Sequence, residues 1–282
     1  MLVPKQSQMI KSADKLLADP AIAASFKTSR LLIGIDRDGT LVDIAPRPEL
    51  APVTESALET VTSLTSLPDV TCSIVSARSL PHLRRDFGNT GALLAGNYGL
   101  EIALSGDKLL VNSDAVNSRA RLAAVLTRLK HELGYVQGFI IEDHGLSICG
   151  HWHLVPKEQR AYVHNVFAIL KSDFADLRFV DQMTSYEVFP ALEWDKGRAL
   201  DEIARHVWGN KYLSDDEMHK SKLVFIGDSI GDEPAFDFVN RHHGYSIRVG
   251  QFEATCAQFA LPGPHSVLAF LNNLVKLRTT GS

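Results

Sequence analysis

Four short stretches hold most of the residues able to do chemistry: Asp36-Arg37-Asp38-Gly39-Thr40, Ser76-Ala77-Arg78, Asp195-Lys196-Gly197, and the run from Gly227 through Asp228 and Asp232 to Glu233. An aspartate can act as a nucleophile toward a phosphoryl group. A second carboxylate two residues on, at Asp38, is placed to give a proton to a leaving alkoxide and later to activate water. Gly39 allows close backbone approach, and the N–H groups of such a loop form an anion-binding concavity. Ser76 offers a hydroxyl and Lys196 an ammonium to anionic oxygens, and the ammonium also neutralises charge that would repel a carboxylate nucleophile. Adjacent carboxylates and a phosphate cannot share a site without a cation, and hard oxygen donors suit Mg2+. Taken singly, an aspartate after a strand is more often a cap or turn residue than a catalyst. The joint pattern carries the reading.

Three of these polar groups follow apolar strand patterns: Asp36 after LLIGI, Ser76 after CSIV and Asp228 after LVFIG. In an open parallel sheet the carboxyl ends of neighbouring strands converge on one crevice, so all three can meet. Strands at Leu31–Asp36, Val70–Ser76 and Leu93–Ala95 alternate with helices, one of them over Thr54–Leu64 with Thr54 as its cap. That alternation predicts a doubly wound α/β fold. After a hairpin through Gly99–Val111 the pattern changes to helix (Ser118–Leu133), two strands around Asp143-His144-Gly145, a helix after Pro156, and two strands around Asp181–Thr184. Helix, hairpin, helix, hairpin predicts a small α+β layer. Alternation then resumes with a helix after Lys196, the strand LVFIGD, a helix at Pro234–Val239, the strand YSIRVG and a helix at Ser266–Leu277. The expected organisation is an amphipathic helical extension over residues 1–30 with Pro20 as a break, a core over 31–114 and 192–282, and an inserted cap over 115–191.

Composition bounds the partners. The chain has 282 residues, 45% hydrophobic and 22% charged, with a formal net charge of -4, which suits a globular protein with a full core. Acidic and basic residues are interspersed, so the chain offers no basic face for nucleic acid and no polybasic segment for a membrane. The apolar runs are too short to cross a bilayer, and the N-terminus lacks a signal-peptide pattern. Cys72, Cys149 and Cys256 have no CxxC spacing and read as buried thiols in a reducing compartment, which puts the expected location in the cytoplasm.

DRDGTL, SAR, DKG and GDSIGDE, in that order, resemble the haloacid dehalogenase-like (HAD) phosphatases. AGNYGLEI, FIIEDHGLSICGHWH, SYEVFP, WDKGRAL and the late RVG narrow the resemblance to trehalose-6-phosphate phosphatases, over about residues 31–277. The resemblance implies a Rossmann-like core with an inserted α+β cap, and hydrolysis of a small-molecule sugar phosphate with Mg2+. It implies Asp36 as nucleophile forming an aspartyl-phosphate, Asp38 as acid/base, and Ser76 and Lys196 on the phosphate oxygens. The metal ligands it implies are Asp36, Asp38 through its backbone carbonyl, Asp228 and Asp232. Gly39, Thr40, Asn97, Glu142, His151 and Glu187 fall at substrate-binding positions, Arg78 either joins them on the phosphate or only pairs structurally, and the cap supplies the sugar contacts.

On the strand Leu146–His153, side-chain alternation puts Ser147, Cys149, His151 and His153 on one side, a face suited to hydroxyls. His144 and His153 stand where the family usually has Lys and Arg, and Ser229 and Gly231 where Asp and Thr are common. These departures leave the catalytic set intact and bear on the sugar, so another phosphorylated disaccharide, a pseudo-disaccharide phosphate or a glycosyl-glycerol phosphate is an alternative substrate. A catalytically idle sugar-phosphate sensor and a phosphotransfer mutase are rival classes. Binding without phosphate release would mark the first, and a sugar bisphosphate product the second. The His151–His153 spacing can also chelate zinc, while Trp152, Trp194 and Trp208 read as core residues able to stack on sugars.

Overall fold

A computed structural model describes residues 10–45, 51–106, 108–212, 214, 217, 219–251 and 254–280. Arg47, which follows the first motif and could either reach a leaving sugar or sit in a solvated loop, lies outside them. The N-terminal segment is not one broken helix. A two-residue strand β1 (Lys11–Ser12) leads into a 3-10 turn (Ala13–Ala18), and helix α1 follows (Pro20–Thr28). Pro20 starts that helix: Asp19 accepts hydrogen bonds from the Ala21 and Ile22 N–H groups, and proline's fixed φ suits the first helical turn. Phe26 is fully buried edge-on to Tyr245, with ring centroids 4.9 Å apart, and burial of such a ring stabilises by roughly 1.5–3 kcal/mol. The segment is therefore stitched into the core.

The chain forms two compact units, residues 1–109 with 194–282, and residues 110–193. In the first, β2 (Arg30–Ile35), α2 (Glu55–Thr65), β3 (Val70–Val75), α3 (Leu80–Phe87), β4 (Leu93–Gly96) and β5 (Glu101–Ala103) come before the insertion, and β6 (Leu109–Val111) runs from residue 109 of the first into residues 110 and 111 of the second. The second unit contributes α4 (Ser113–Asn117), α5 (Arg119–Leu133), β7 (Ile140–Asp143), β8 (Ile148–His151), α6 (Lys157–Asp173), β9 (Leu177–Asp181) and β10 (Ser185–Pro190). The core then resumes with α7 (Lys196–Trp208), β11 (Ser221–Gly227), α8 (Glu233–Arg241), β12 (Tyr245–Val249), β13 (Phe259–Leu261) and α9 (Pro264–Thr279).

The core sheet runs β1-β13-β12-β11-β2-β3-β4-β5-β6, parallel from β1 through β4 and antiparallel between β4 and β5. Strands covered on both faces read as continuous apolar runs, and β2 alternates accordingly. Leu31, Ile33 and Ile35 join the cluster holding Phe26, Val61 and Leu271, whereas Gly34 faces Phe225 and Leu200. The winding direction reverses between β2 and β11, the place where open α/β sheets bind ligands. Ile35 pairs with Ile226 on one side and Ile74 on the other, so the three strand ends lie level.

The second unit is a four-stranded antiparallel sheet, β7-β8-β10-β9. Ile141, Ile148, Phe179, Tyr186 and Val188 turn one face onto a cluster with Leu129, Leu133, Phe167 and Leu170 of α5 and α6. The other face is mixed, with Glu142, Cys149, His151, Ser185 and Glu187 grouped over β7, β8 and β10 and Ile140, Val180 and Phe189 around them.

Candidate active site

Asp36, Ser76 and Asp228 are the residues next after β2, β3 and β11, and the level register delivers all three to one edge of the sheet. The Asp36 N–H continues the ladder by donating to the Ile226 carbonyl at 2.9 Å. The chain then curls: the N–H groups of Leu41 and Val42 donate to the Arg37 carbonyl at 2.9 and 3.0 Å, and Gly39 donates to Val42 at 2.7 Å. Gly39 sits at φ +79°, and a Cβ there would lie 2.1 Å from Asp228 Oδ2. Only glycine lets the first loop approach the Asp228 carboxylate so closely.

Lys196, the first residue of α7, reaches this edge in full burial. Its Nζ donates to Asp36 Oδ1 and to Asp232 Oδ1, both at 2.7 Å. The Lys196 pKa is raised: burial alone would lower it, but the Asp232 and Asp36 carboxylates outweigh burial and keep it an ammonium. The carboxylates outnumber it. Burial lifts Asp36 well above the ordinary range, with Lys196 opposing and Asp232 and Asp228 adding to the rise. Burial and then Asp232 push Asp228 up to about 6. Carboxylate oxygens of Asp36, Asp228 and Asp232 lie within 4.8 Å of one another. Three hard-oxygen donors carrying more negative charge than one lysine balances fit a divalent cation such as Mg2+. Asp232 has both oxygens engaged, because Oδ2 accepts from the Ser229 N–H and Oγ at 2.8 Å each. It is built to hold Lys196 and the 228–232 turn, which leaves Asp36 and Asp228 with the freer oxygens. Ser229 makes this capping box with Asp232.

Two arginines hold Asp38. Arg78 pairs with it bidentately at 2.9 and 3.0 Å, and Arg37 reaches Oδ1 at 2.6 Å. Burial acts to raise the Asp38 pKa, but the Arg78 hydrogen bonds and charge, helped by Arg37, outweigh it and leave the carboxyl below its ordinary value. Asp38 thus rests as a carboxylate. Arg37, 1% exposed, also contacts Asp86 at 2.8 Å and donates to the Ala51 carbonyl at 2.7 Å. Neither Arg37 nor Asp86 stands out as a site residue from sequence. Arg37 lies inside the first motif, but Asp86 sits a helix away on α3 with no motif to mark it.

Ser76 and Thr40 are both buried, and among the described residues Thr40 Oγ1 has no hydrogen-bond partner, as a donor lining a ligand site would be before the ligand arrives. Asn97 is fully buried; its N–H donates to the Arg78 carbonyl at 2.8 Å and its side-chain amide to Glu101 at 2.9 Å. It braces the loop from Ser76 to Arg78, with Asn97 and Tyr98 both in the left-handed region at φ 52° and 58°. Such strain persists only where the surroundings over-determine it. The Trp194 indole donates to the Tyr98 carbonyl at 3.1 Å, which gives this ring a structural task.

Glu142, His151 and Glu187 come together in the second unit. Cys149 on β8 pairs with Glu142 on β7 and with Glu187 on β10, a row across the mixed face, and His151 lies one step along that face. His151 Nε2 and Glu142 Oε2 are 2.7 Å apart, and His144 Nε2 is 3.8 Å from Glu142 Oε1. Strand β8 ends at His151. Trp152 turns to the helices, under Arg160 and edge-on to His164, while the His153 ring lies 6.0 Å from that of His151.

A family model described as trehalose-phosphatase matches residues 35–265. The chain belongs to this family. Trehalose-phosphate phosphatase of Mycobacterium tuberculosis is 27% identical to it over 279 residues, covering 97% of this chain and 66% of that protein. An uncharacterized glycosyl hydrolase of the same species is 30% identical over 266 residues, covering 90% of this chain and 19% of the relative. The chain thus spans about a fifth of one relative and just under two thirds of the other. The C-terminal domain of Candida albicans trehalose-6-phosphate phosphatase shares the fold, with a TM-score of 0.80 at 20% identity over 95% of this chain and 99% of that one. The doubly wound α/β core with an α+β insertion is the arrangement that the strand pattern predicts. Among the described residues no helix is long and apolar enough to cross a membrane.

Proposed function

We propose that the protein is a Mg2+-dependent phosphatase that converts trehalose 6-phosphate to trehalose through an aspartyl-phosphate on Asp36. The observation that carries this reading is the meeting of Asp36, Ser76, Lys196 and Asp228 at the level ends of three adjacent parallel strands, with Thr40, whose hydroxyl has no partner among the described residues, in the loop that follows Asp36.

In the first step an Asp36 carboxylate oxygen forms a bond to phosphorus as the bond from phosphorus to the sugar oxygen breaks, and Asp38 gives that oxygen a proton. In the second, Asp38 takes a proton from water as the water oxygen attacks phosphorus and Asp36 leaves as a carboxylate. Ser76, Thr40 and Lys196 bind the phosphoryl oxygens, and Lys196 holds Asp36 in place. Asp36, Asp228 and the Asp38 carbonyl would hold Mg2+, whose charge offsets that of phosphate and carboxylates, with Asp232 fixing the turn behind them. The bidentate Arg78 contact suits Asp38 to its second task, taking the proton. The first requires that Arg78 release it and that it take up a proton from solvent, and the substrate phosphate competing for the guanidinium frees it to do so; the proton taken from water in the second step then leaves Asp38 protonated for the next turnover.

Sugar recognition falls to Glu142, His151 and Glu187 on the mixed face of the inserted sheet, where carboxylates accept from hydroxyls. Because His144 and His153 replace the family's usual cations, a second reading assigns another phosphorylated disaccharide, a pseudo-disaccharide phosphate or a glycosyl-glycerol phosphate. The test is phosphate release with Mg2+ from trehalose 6-phosphate, sucrose 6-phosphate, glucose 6-phosphate and glucosyl-glycerol phosphate, with Asp36→Asn alongside. Release from trehalose 6-phosphate that Asp36→Asn abolishes is expected. Release from another member alone selects the second reading, and full activity of Asp36→Asn refutes the covalent route.

A further inference from the structure

We propose that, in the absence of sugar, this face of the inserted sheet holds a transition-metal site of the zinc class, built from Glu142, Cys149 and His151, with metal and sugar competing for Glu142 and His151. A ligand atom of each, one carboxylate oxygen, one thiol sulfur and one imidazole nitrogen, lies within 4.8 Å of the other two. The cluster follows from register. Glu142 and Cys149 are directly paired on β7 and β8, so their side chains leave the same face, and His151 follows two residues along β8. Glu187 completes the row on the far side of Cys149.

The donor set decides the class of metal. The site at the core sheet is all carboxylate, whereas this one combines sulfur, nitrogen and oxygen, which select zinc, cobalt and their neighbours over Mg2+. Tetrahedral zinc with ordinary bond lengths sets its sulfur, nitrogen and oxygen ligands about 3.3–3.6 Å apart. The observed spread needs only small side-chain adjustment to reach that geometry. His151 Nε2 and Glu142 Oε2, 2.7 Å apart, share a hydrogen that the metal would replace, the two atoms parting by roughly 0.7 Å. The Cys149 proton leaves to solvent as Sγ takes the metal, and the imidazole moves its proton to Nδ1. Cys149 is 6% exposed and the other two are partly buried, so the metal would be shielded on the sulfur side and open on the other. His144, with Nε2 3.8 Å from the second Glu142 oxygen, is placed to take the open position. Cys72 and Cys256 belong to no such cluster among the described residues.

The test is a Co2+ titration of the full chain in excess Mg2+, which occupies all-oxygen sites, read by absorption and not by activity, so its outcome is independent of the phosphatase reading. A thiolate-to-cobalt charge-transfer band in the near ultraviolet, saturating at one equivalent and bleached by Zn2+, is expected. Cys149→Ser should abolish the band and Cys256→Ser should keep it. Absence of the band in the unaltered protein, its survival in Cys149→Ser or its loss in Cys256→Ser would overturn the site. Should Cys149→Ser lose the native circular dichroism spectrum, Glu142→Gln and His151→Gln decide. Each is expected to weaken Co2+ binding by roughly tenfold or more, and unchanged affinity in both overturns the proposal.

Discussion

Lys196→Met tests how the core site is held together. Lys196 is 2% exposed, and its ammonium lies 2.7 Å from an oxygen of Asp36 and of Asp232. Each contact is about 6 kcal/mol of Coulomb attraction at an effective dielectric near 20. Desolvation of the buried ions offsets most of it. Removing the lysine alone leaves the two carboxylates facing each other without their cation, a change that costs about 3–5 kcal/mol. That is a large part of the ~5–15 kcal/mol that holds a domain folded, and corresponds to a Tm lower by roughly 6–20 °C. Asp232→Asn in the same molecule removes one of the opposed charges, so the double variant should recover ~0.5–3 kcal/mol relative to Lys196→Met. The assay is urea unfolding in chelator, followed by tryptophan fluorescence in a Trp152→Phe background, where Trp194 and Trp208 report on the core unit alone. A Lys196→Met loss under about 1 kcal/mol, or a double variant that simply adds a further loss, refutes the charge argument.

Asp38→Asn should lower kcat by ~10²–10⁴ while the far-ultraviolet circular dichroism stays native, measured as phosphate release. Gly39→Ala forces a Cβ to within 2.1 Å of Asp228 Oδ2 at φ +79°, so the Mg2+ concentration for half-maximal activity should rise, as a Mg2+ titration would show. Burial, with the Arg78 and Arg37 charges and against the pull of Asp86, lowers His82 from 6.5 to about 4. The unfolded chain then binds a proton that the folded one refuses between those values, so stability falls as the pH drops through that window. Relative to His82→Gln, the unaltered protein should lose more Tm between neutral pH and about pH 4.

Where a local pattern states a role, the sequence sufficed. Apolar runs ending in Asp36, Ser76 and Asp228 marked strand ends, and the change from alternating helix and strand to paired hairpins marked the insertion. Thr54 caps α2, its hydroxyl accepting from the Ala57 N–H. Roles set by a distant partner were not legible. The residues Arg37 braces, Asp86 and Ala51, have no fixed place in a motif, and the Asn97 amide is taken by Glu101. Two-residue β1 and three-residue β13 pair with each other, and neither is long enough to show a period. Pro20 is ambiguous from sequence because proline both breaks and begins helices, and Asp19 decides for the start. The Glu142–Cys149–Glu187 row needs the register across three strands, which alternation within one strand does not supply.

The pairing of β2 with β11 joins residue 30 to residue 221, with the whole insertion between them. Contacts so far apart in sequence must meet their loop-closure entropy before they return any stabilisation, which makes this seam slow to form. The inserted sheet starts from a tight turn between β7 and β8, where His144 N–H donates to the Ser147 carbonyl, and so begins with contacts of short range. Folding it first turns the flexible stretch 110–193 into a compact body and shortens the chain that the core must close. Asp36 and Asp228 sit on opposite sides of that seam, so the reactive centre exists only once its two long-range strands have docked.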